Sequence, residues 1–223
     1  MDAATLLRDL VALPSVNPAF LPAGHPWAGE QRVRDFLVAA IAPLGLDLDL
    51  QEVASGQHNL LARLRPAGRP RHRVLLAPHL DTVGGDSDHF APRLKRGRLY
   101  GRGACDTKGS IAAMLTALGR VARAGRRPVK TEILFAGLSD EEHGQNGSRT
   151  LARSGLKADL AIVGEPTRLK VITAHKGNVW LRLETHGKAA HGAHPELGVN
   201  AVDAMARILR LLDSKYAPRL RRH

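Results

Sequence analysis

Aromatic residues make up only 4% of the 223 residues, and cysteine occurs once, at Cys105. A single thiol excludes any internal disulfide and fits a reducing compartment. The shortage of aromatics removes the stacking platforms on which single-stranded nucleic acids rest. No apolar run approaches the ~20 residues needed to cross a bilayer. The first nine residues, Met1 to Asp9, carry acids where a secretory leader needs an apolar centre. These absences predict a cytoplasmic protein with no membrane partner. Acids are the scarcer charge, with 21 Asp plus Glu against 33 Lys plus Arg and a net charge of +12. The basic excess is scattered, and its densest stretches, 63–73 and 219–222, have no interleaved aromatics. Solvated surface charge is therefore expected, and no nucleic-acid partner.

With 43% hydrophobic residues, the chain can bury a core for one large domain, or for one domain and part of another. Residues 2–12 read as a helix stopped by Pro14, and Glu30–Leu44 as a second helix ended by Gly45. Leu46–Val53 and Asn59–Arg65 alternate apolar and polar, as half-buried strands near a sheet edge do. Val74–Ala77, Thr131–Leu138 and Asp159–Val163 are short apolar runs that suit buried strands, and Ile111–Ala124 suits an apolar helix. Arg93–Tyr100 reads as a small hairpin. The fold class expected is α/β, a mostly parallel twisted sheet with flanking helices. Beyond Leu169 the pattern changes to strands at Lys170–His175 and Gly177–His186, then a helix from Gly198 to about Ser214. This predicts a first domain over 1–176 and the start of a smaller α+β unit over 177–223.

The residues that carry chemistry cluster where these strands end. His79-Leu80-Asp81 follows the first apolar run, a pattern that suits a metal ligand and the carboxylate that orients it. Taken alone, H-x-D reads more readily as a turn, with the Asp helping to close it. The glycine-rich stretch 100–110 precedes a helix but lacks the Gly-Lys-Ser/Thr order of a phosphate loop; it presents Asp106 instead, which suits a cation or a helix cap. Asp140-Glu141-Glu142 follows the second run and Glu165 the third. Acids in such a crevice are costly unless paired or metal-bound. Cys105 reads as a small buried packing residue, and Asp86, Asp88 and His89 as a solvated loop.

Five motifs in order resemble the M20 family of metallopeptidases and deacylases, the acetylornithine deacetylase, desuccinylase and glutamate carboxypeptidase type. They are Pro78-His79-Leu80-Asp81-Thr82, the 100–109 stretch with Asp106, Asp140-Glu141-Glu142, Gly164-Glu165-Pro166-Thr167, and the run from Gly187 through His191 to Ala201. The resemblance implies a di-zinc catalytic domain interrupted by a lid domain that dimerises. Within it, His79 and Glu165 hold one zinc, Glu142 the other, and Asp106 bridges them. Asp81 orients His79, and a cis peptide follows Asp106. Glu141 acts as general base on a metal-bridging water, and His191, preferred over His194 by position, steadies the oxyanion from a neighbouring subunit. Co2+ or Mn2+ substitutes for zinc in such sites. The implied reaction is amide hydrolysis in an N-acyl-amino acid or small peptide, by a homodimer in the full-length parent. The family's last zinc ligand, a His beyond the lid, has no counterpart before residue 223. A truncated chain with impaired turnover, kept for metal binding or dimerisation, is thus the alternative expectation.

Overall fold

The computed structural model describes residues 2–124, 127–175, 177 and 179–221. Lys176, at the expected domain boundary, and the tail residue His223 lie outside them. The chain divides into two compact units, Met1–Val171 and Ile172–His223.

The first unit is built on a five-stranded sheet ordered β1-β2-β6-β3-β7. Its strands are β1 (Asp47–Ala54), β2 (Gln57–Leu64), β3 (His72–Ala77), β6 (Thr131–Gly137) and β7 (Leu160–Val163). The pairings β6-β3 and β3-β7 are parallel. The hairpin β1-β2 and its junction with β6 are antiparallel, at the edge where the alternating pattern placed them. A separate hairpin joins β4 (Arg93–Lys95) and β5 (Arg98–Tyr100).

Helices α1 (Ala3–Val11), α2 (Gln31–Ile41), α3 (Lys108–Arg123) and α4 (Asn146–Arg153) cover the sheet. Successive strand residues face opposite sides, so the inner strands β2, β3 and β6 feed two cores. Leu60, Leu76 and Phe135 pack with Leu10, Leu37, Ile41 and Leu115 on the α1–α3 side. Their neighbours Leu61, Ala77 and Leu134 pack with Leu151 of α4 on the other. Asp2 caps α1 by accepting from the Thr5 N–H at 2.9 Å. Helix α2 tightens through a 3-10 turn at Ala42–Leu44 and stops at Gly45, whose φ of 61° is left-handed. Helix α4 carries no such signal. Residues 144–150 are polar and turn-forming, and the helix seats because Gly147 lies against the Ser139 backbone, where a Cβ has no room.

In the second unit, Asn200 caps α5 (Ala201–Leu211) by accepting from Val202 N–H at 2.9 Å. A π-helical turn, Leu212–Tyr216, carries the helix into α6 (Ala217–Leu220). The strands expected at 170–175 and 177–186 do not form among the described residues. Their alternation supplies strand propensity, but among the described residues neither stretch joins a β-ladder, and Val179, Trp180 and Leu181 are exposed.

Candidate metal centre

Strands β6, β3 and β7 are parallel neighbours, so the loops leaving their carboxyl ends share one crevice. His79 leaves β3, Glu141 and Glu142 leave β6, and Glu165 leaves β7. Asp106 arrives from the turn before α3, joined to Thr107 by a cis peptide bond. The Thr107 hydroxyl donates to the Gly164 carbonyl, tying that turn to the end of β7.

The imidazole of His79, only 1% exposed, is the centre of the cluster. Its Nε2 lies 3.0 Å from Asp106 Oδ1, 3.9 Å from Glu141 Oε2 and 4.0 Å from Glu165 Oε1. Two groups bring their ligand atoms within 4.8 Å of one another: His79 with Asp106 and Glu142, and His79 with Glu141 and Glu165. Nδ1 lies 3.0 Å from the backbone carbonyl of Asp81, so its N–H donates there and Nε2 is left facing the carboxylates. One imidazole among four carboxylates is a donor set suited to divalent cations.

The expectation that the Asp81 carboxylate orients His79 is modified by this geometry. That carboxylate stands 3.4 Å from Nδ1, farther than the backbone carbonyl. It is fully buried. Its Oδ2 accepts from Asn17 Nδ2 at 2.8 Å and Glu142 N–H at 3.0 Å, and its Oδ1 from Glu141 N–H at 3.1 Å. Asp81 therefore holds the two-glutamate loop by its backbone as well as flanking the histidine.

Asn17 and Glu30 escape the sequence reading, which includes Asp140 and Lys108 in its motifs but assigns them no role. Segment 15–17 lies beside 80–82, with Thr82 N–H donating to Ser15 O and Asn17 N–H to Thr82 O, both at 2.9 Å. Asn17 Nδ2 thereby reaches Asp81 and also Asp140 Oδ1, each at 2.8 Å. Asp140, at a φ of 61°, turns the loop and accepts from Gly144 N–H at 3.1 Å and Asn146 Nδ2 at 2.6 Å. Its own N–H donates to buried Glu30 at 3.0 Å. Lys108 is fully buried, and its Nζ donates to the Leu10 and Leu13 carbonyls at 3.0 and 2.7 Å. It anchors the helix that follows Asp106 to the end of α1.

Burial disfavours charge on His79, but Asp106 and Asp81 overcome it and raise the imidazole to about 11. Burial, with Glu141, Asp106 and Glu142 adding repulsion against the pull of His79, lifts Glu165 to about 7. Burial also raises Glu141 and Glu142. It pushes the Lys108 ammonium down to about 7, with Arg32 adding to the effect.

Cys105 is exposed, contrary to the packing role expected of it. Its neighbour Gly103 instead fills the tight place. Gly103 has a φ of 80°, and a Cβ there meets Lys108 Cδ at 2.9 Å and Thr82 Cγ2 at 3.0 Å. Gly103→Ala is expected to destabilise the fold by about 1–3 kcal/mol through backbone strain and overpacking, read as a lower urea midpoint. His191 lies in the second unit, exposed, its Nδ1 accepting from Ala193 N–H at 3.1 Å.

Residues 75–216 match the family model of Peptidase family M20/M25/M40. The acetylornithine deacetylase of Proteus mirabilis (strain HI4320) is 32% identical over 208 residues, covering 90% of this chain and 51% of that protein. The acetylornithine deacetylase of Myxococcus xanthus is 38% identical over 159 residues, covering 70% of this chain and 40% of that one. Among solved structures, a tripeptidase from Staphylococcus aureus superposes with a TM-score of 0.63 at 22% identity, over 93% of this chain and 55% of that one. The M20 family metallo-carboxypeptidase Sso-CP2 from Sulfolobus solfataricus gives 0.57 at 21% identity, over 74% and 37%. At these identities the structures speak for the fold. The chain spans about half the length of the curated relatives it matches. With a family model aligned to most of its length and relatives above 30% identity across most of the chain, this protein belongs to peptidase family M20/M25/M40.

Proposed function

We propose that the chain carries the metal-binding half of a hydrolase that cleaves an amide bond in an N-acyl-amino acid or small peptide. The observation that carries this reading is the convergence of Asp106, Glu141 and Glu165 within 4.0 Å of one buried imidazole nitrogen. His79 and Glu165 would hold one zinc, Glu142 the other, and Asp106 would bridge them. When bound, zinc, or cobalt or manganese in its place, supplies the Lewis acidity that polarises a carbonyl and acidifies water.

Glu141 takes the proton of the attacking water and returns it to the leaving amine nitrogen. Its carboxyl, raised by burial and still 38% exposed, is both basic enough and accessible enough for this exchange. Asp81 is the positioning residue, since it fixes the backbone of Glu141 and Glu142. His191 steadies the oxyanion, supplied by the second subunit of a homodimer; this role rests on its place in the 187–201 motif. N-acetyl-amino acids, acetylornithine among them, are the first substrates to try, because the similar deacetylases bear that name.

Acetate release by the zinc-loaded chain is the test. Glu141→Gln is expected to slow it at least about 100-fold with metal content unchanged. Loss of metal together with activity would make Glu141 a ligand and remove it as the base. A second reading, metal binding without turnover, is favoured by one observation: both ligand groups draw on the same imidazole, His79. Bound zinc with no acetate release from any N-acyl-amino acid would select it.

A further inference from the structure

Outside the metal centre, the β4-β5 hairpin and the loop before α3 enclose an open cavity of ≈ 650 Å³. That size lies within the ~300–1,000 Å³ of small-molecule sites. Arg93, Lys95, Arg96 and Arg102 line it, and among the described lining residues Asp88 is the one acid. Asp88 offsets little of this charge. Its carboxylate is 81% exposed and stands 3.9 Å from Arg93, a loose surface pair.

The floor of the cavity is more fixed than its rim. Arg102 is held by its backbone N–H, which donates to the His89 carbonyl at 2.6 Å. Its side-chain Nε is buried and has no hydrogen-bond partner among the described residues. A buried guanidinium N–H left unpaired is costly, so a turn of the Arg102 side chain toward an acceptor in the cavity would cost no existing bond at Nε. His89 also lines the cavity; its Nδ1 accepts from Asp86 N–H at 3.1 Å, which leaves the neutral ring's proton on Nε2 as a further donor. Donors thus surround a concave space that offers little of the opposite charge.

We propose that this cavity binds a small, multiply charged anion bearing phosphate or carboxylate groups, with Arg102 at its floor and Arg93, Lys95 and Arg96 around it. Guanidinium groups take such oxygens in paired hydrogen bonds, and three further cations make a singly charged ion the weaker ligand. The site is separate from the metal centre and does not depend on the proposed hydrolysis.

The test is calorimetric titration of the 223-residue chain, freed of metal on a chelating resin, with inorganic pyrophosphate and separately with citrate. Saturable 1:1 binding of either is expected, with Kd below about 1 mM, and the preferred anion tells phosphate from carboxylate recognition. Arg102→Met and the rim pair Lys95→Ala/Arg96→Ala should each weaken binding about tenfold or more. The rim pair is exposed, so it keeps the test open should Arg102→Met fail to fold. Arg69→Ala/Arg71→Ala, in a different basic stretch, and His79→Ala, in the metal centre, should leave binding unchanged. Absence of saturable binding, or equal weakening by the Arg69/Arg71 pair, would overturn the proposal in favour of diffuse surface charge.

Discussion

Loading the metal-free chain with Zn2+ at pH 6 is expected to expel about two protons from the first site, and about one at pH 8. In the proposed site a metal would need a bare Nε2 on His79 and an ionised carboxylate on Glu165. Without metal, the surrounding carboxylates hold the imidazolium proton up to about 11, and burial among like charges holds the Glu165 proton up to about 7. Below pH 7 both protons must leave, and above it only that of His79. Affinity should therefore climb about 100-fold per pH unit below 7 and about tenfold per unit above it. Stability of the metal-free protein runs the other way. Each folded pKa is raised, so each contribution is complete below the ordinary value, 4.5 for Glu165 and 6.5 for His79. It is then lost as the pH rises toward 7 and 11 respectively. The metal-free protein should melt lower at pH 8 than at pH 5, and zinc should reverse that order. Calorimetry in two buffers of different ionisation heat counts the protons. His79→Ala should abolish the His-linked proton and weaken zinc by more than about 100-fold, because even partners behind a ligand are worth 10–100-fold. A proton count near zero at pH 6 would contradict the assignment of His79 and Glu165 as ligands.

The parts of this centre that were legible from the chain are those whose signal is local. Val74–Ala77 and Thr131–Leu138 announce buried strands by composition. Asp159–Val163 announces a strand as well, but it forms the sheet edge, with Leu160, Ile162 and Val163 exposed rather than buried as its composition suggests. Each is followed within a few residues by a His or an acid. Once the strands are parallel neighbours, those residues meet. Partners drawn from far along the chain left no such mark. Asn17 looks like the start of a turn before Pro18, and its bonds to Asp81 and Asp140 come only from the pairing of 15–17 with 80–82. Lys108 sits in a stretch that invites comparison with a phosphate loop. Its burial reflects the carbonyls of Leu10 and Leu13, about a hundred residues earlier. Residues 170–186 err in the opposite direction, since alternation is a property of one strand and pairing a property of two.

Asp81→Asn should lower the melting temperature by about 5–10 °C and weaken zinc binding about 10–100-fold, although it changes one atom in a residue that the proposal leaves unligated. Both carboxylate oxygens already face N–H donors: Asn17 Nδ2 and Glu142 N–H at Oδ2, and Glu141 N–H at Oδ1. An amide must turn its NH2 toward one of these sets. Either orientation opposes donor to donor in a fully buried place, at a cost of about 2–3 kcal/mol. The charge matters as well. Burial alone would raise the Asp81 carboxyl, but His79 and Asn17 reverse this and hold it below the ordinary 3.8. A depressed carboxyl stabilises the fold above its unfolded pKa, and that contribution disappears as the pH falls through the folded value. The wild-type chain should thus lose stability below pH 4 more steeply than the Asn variant, whose profile there is flatter. Asn17→Ala separates geometry from charge, because it removes one donor and the link to Asp140 while leaving the carboxylate ionised. If Asp81 acts by fixing the Glu141-Glu142 backbone, the two substitutions should be less than additive in zinc affinity, since each loosens the same loop. Strict additivity would mean that Asp81 acts through His79 alone.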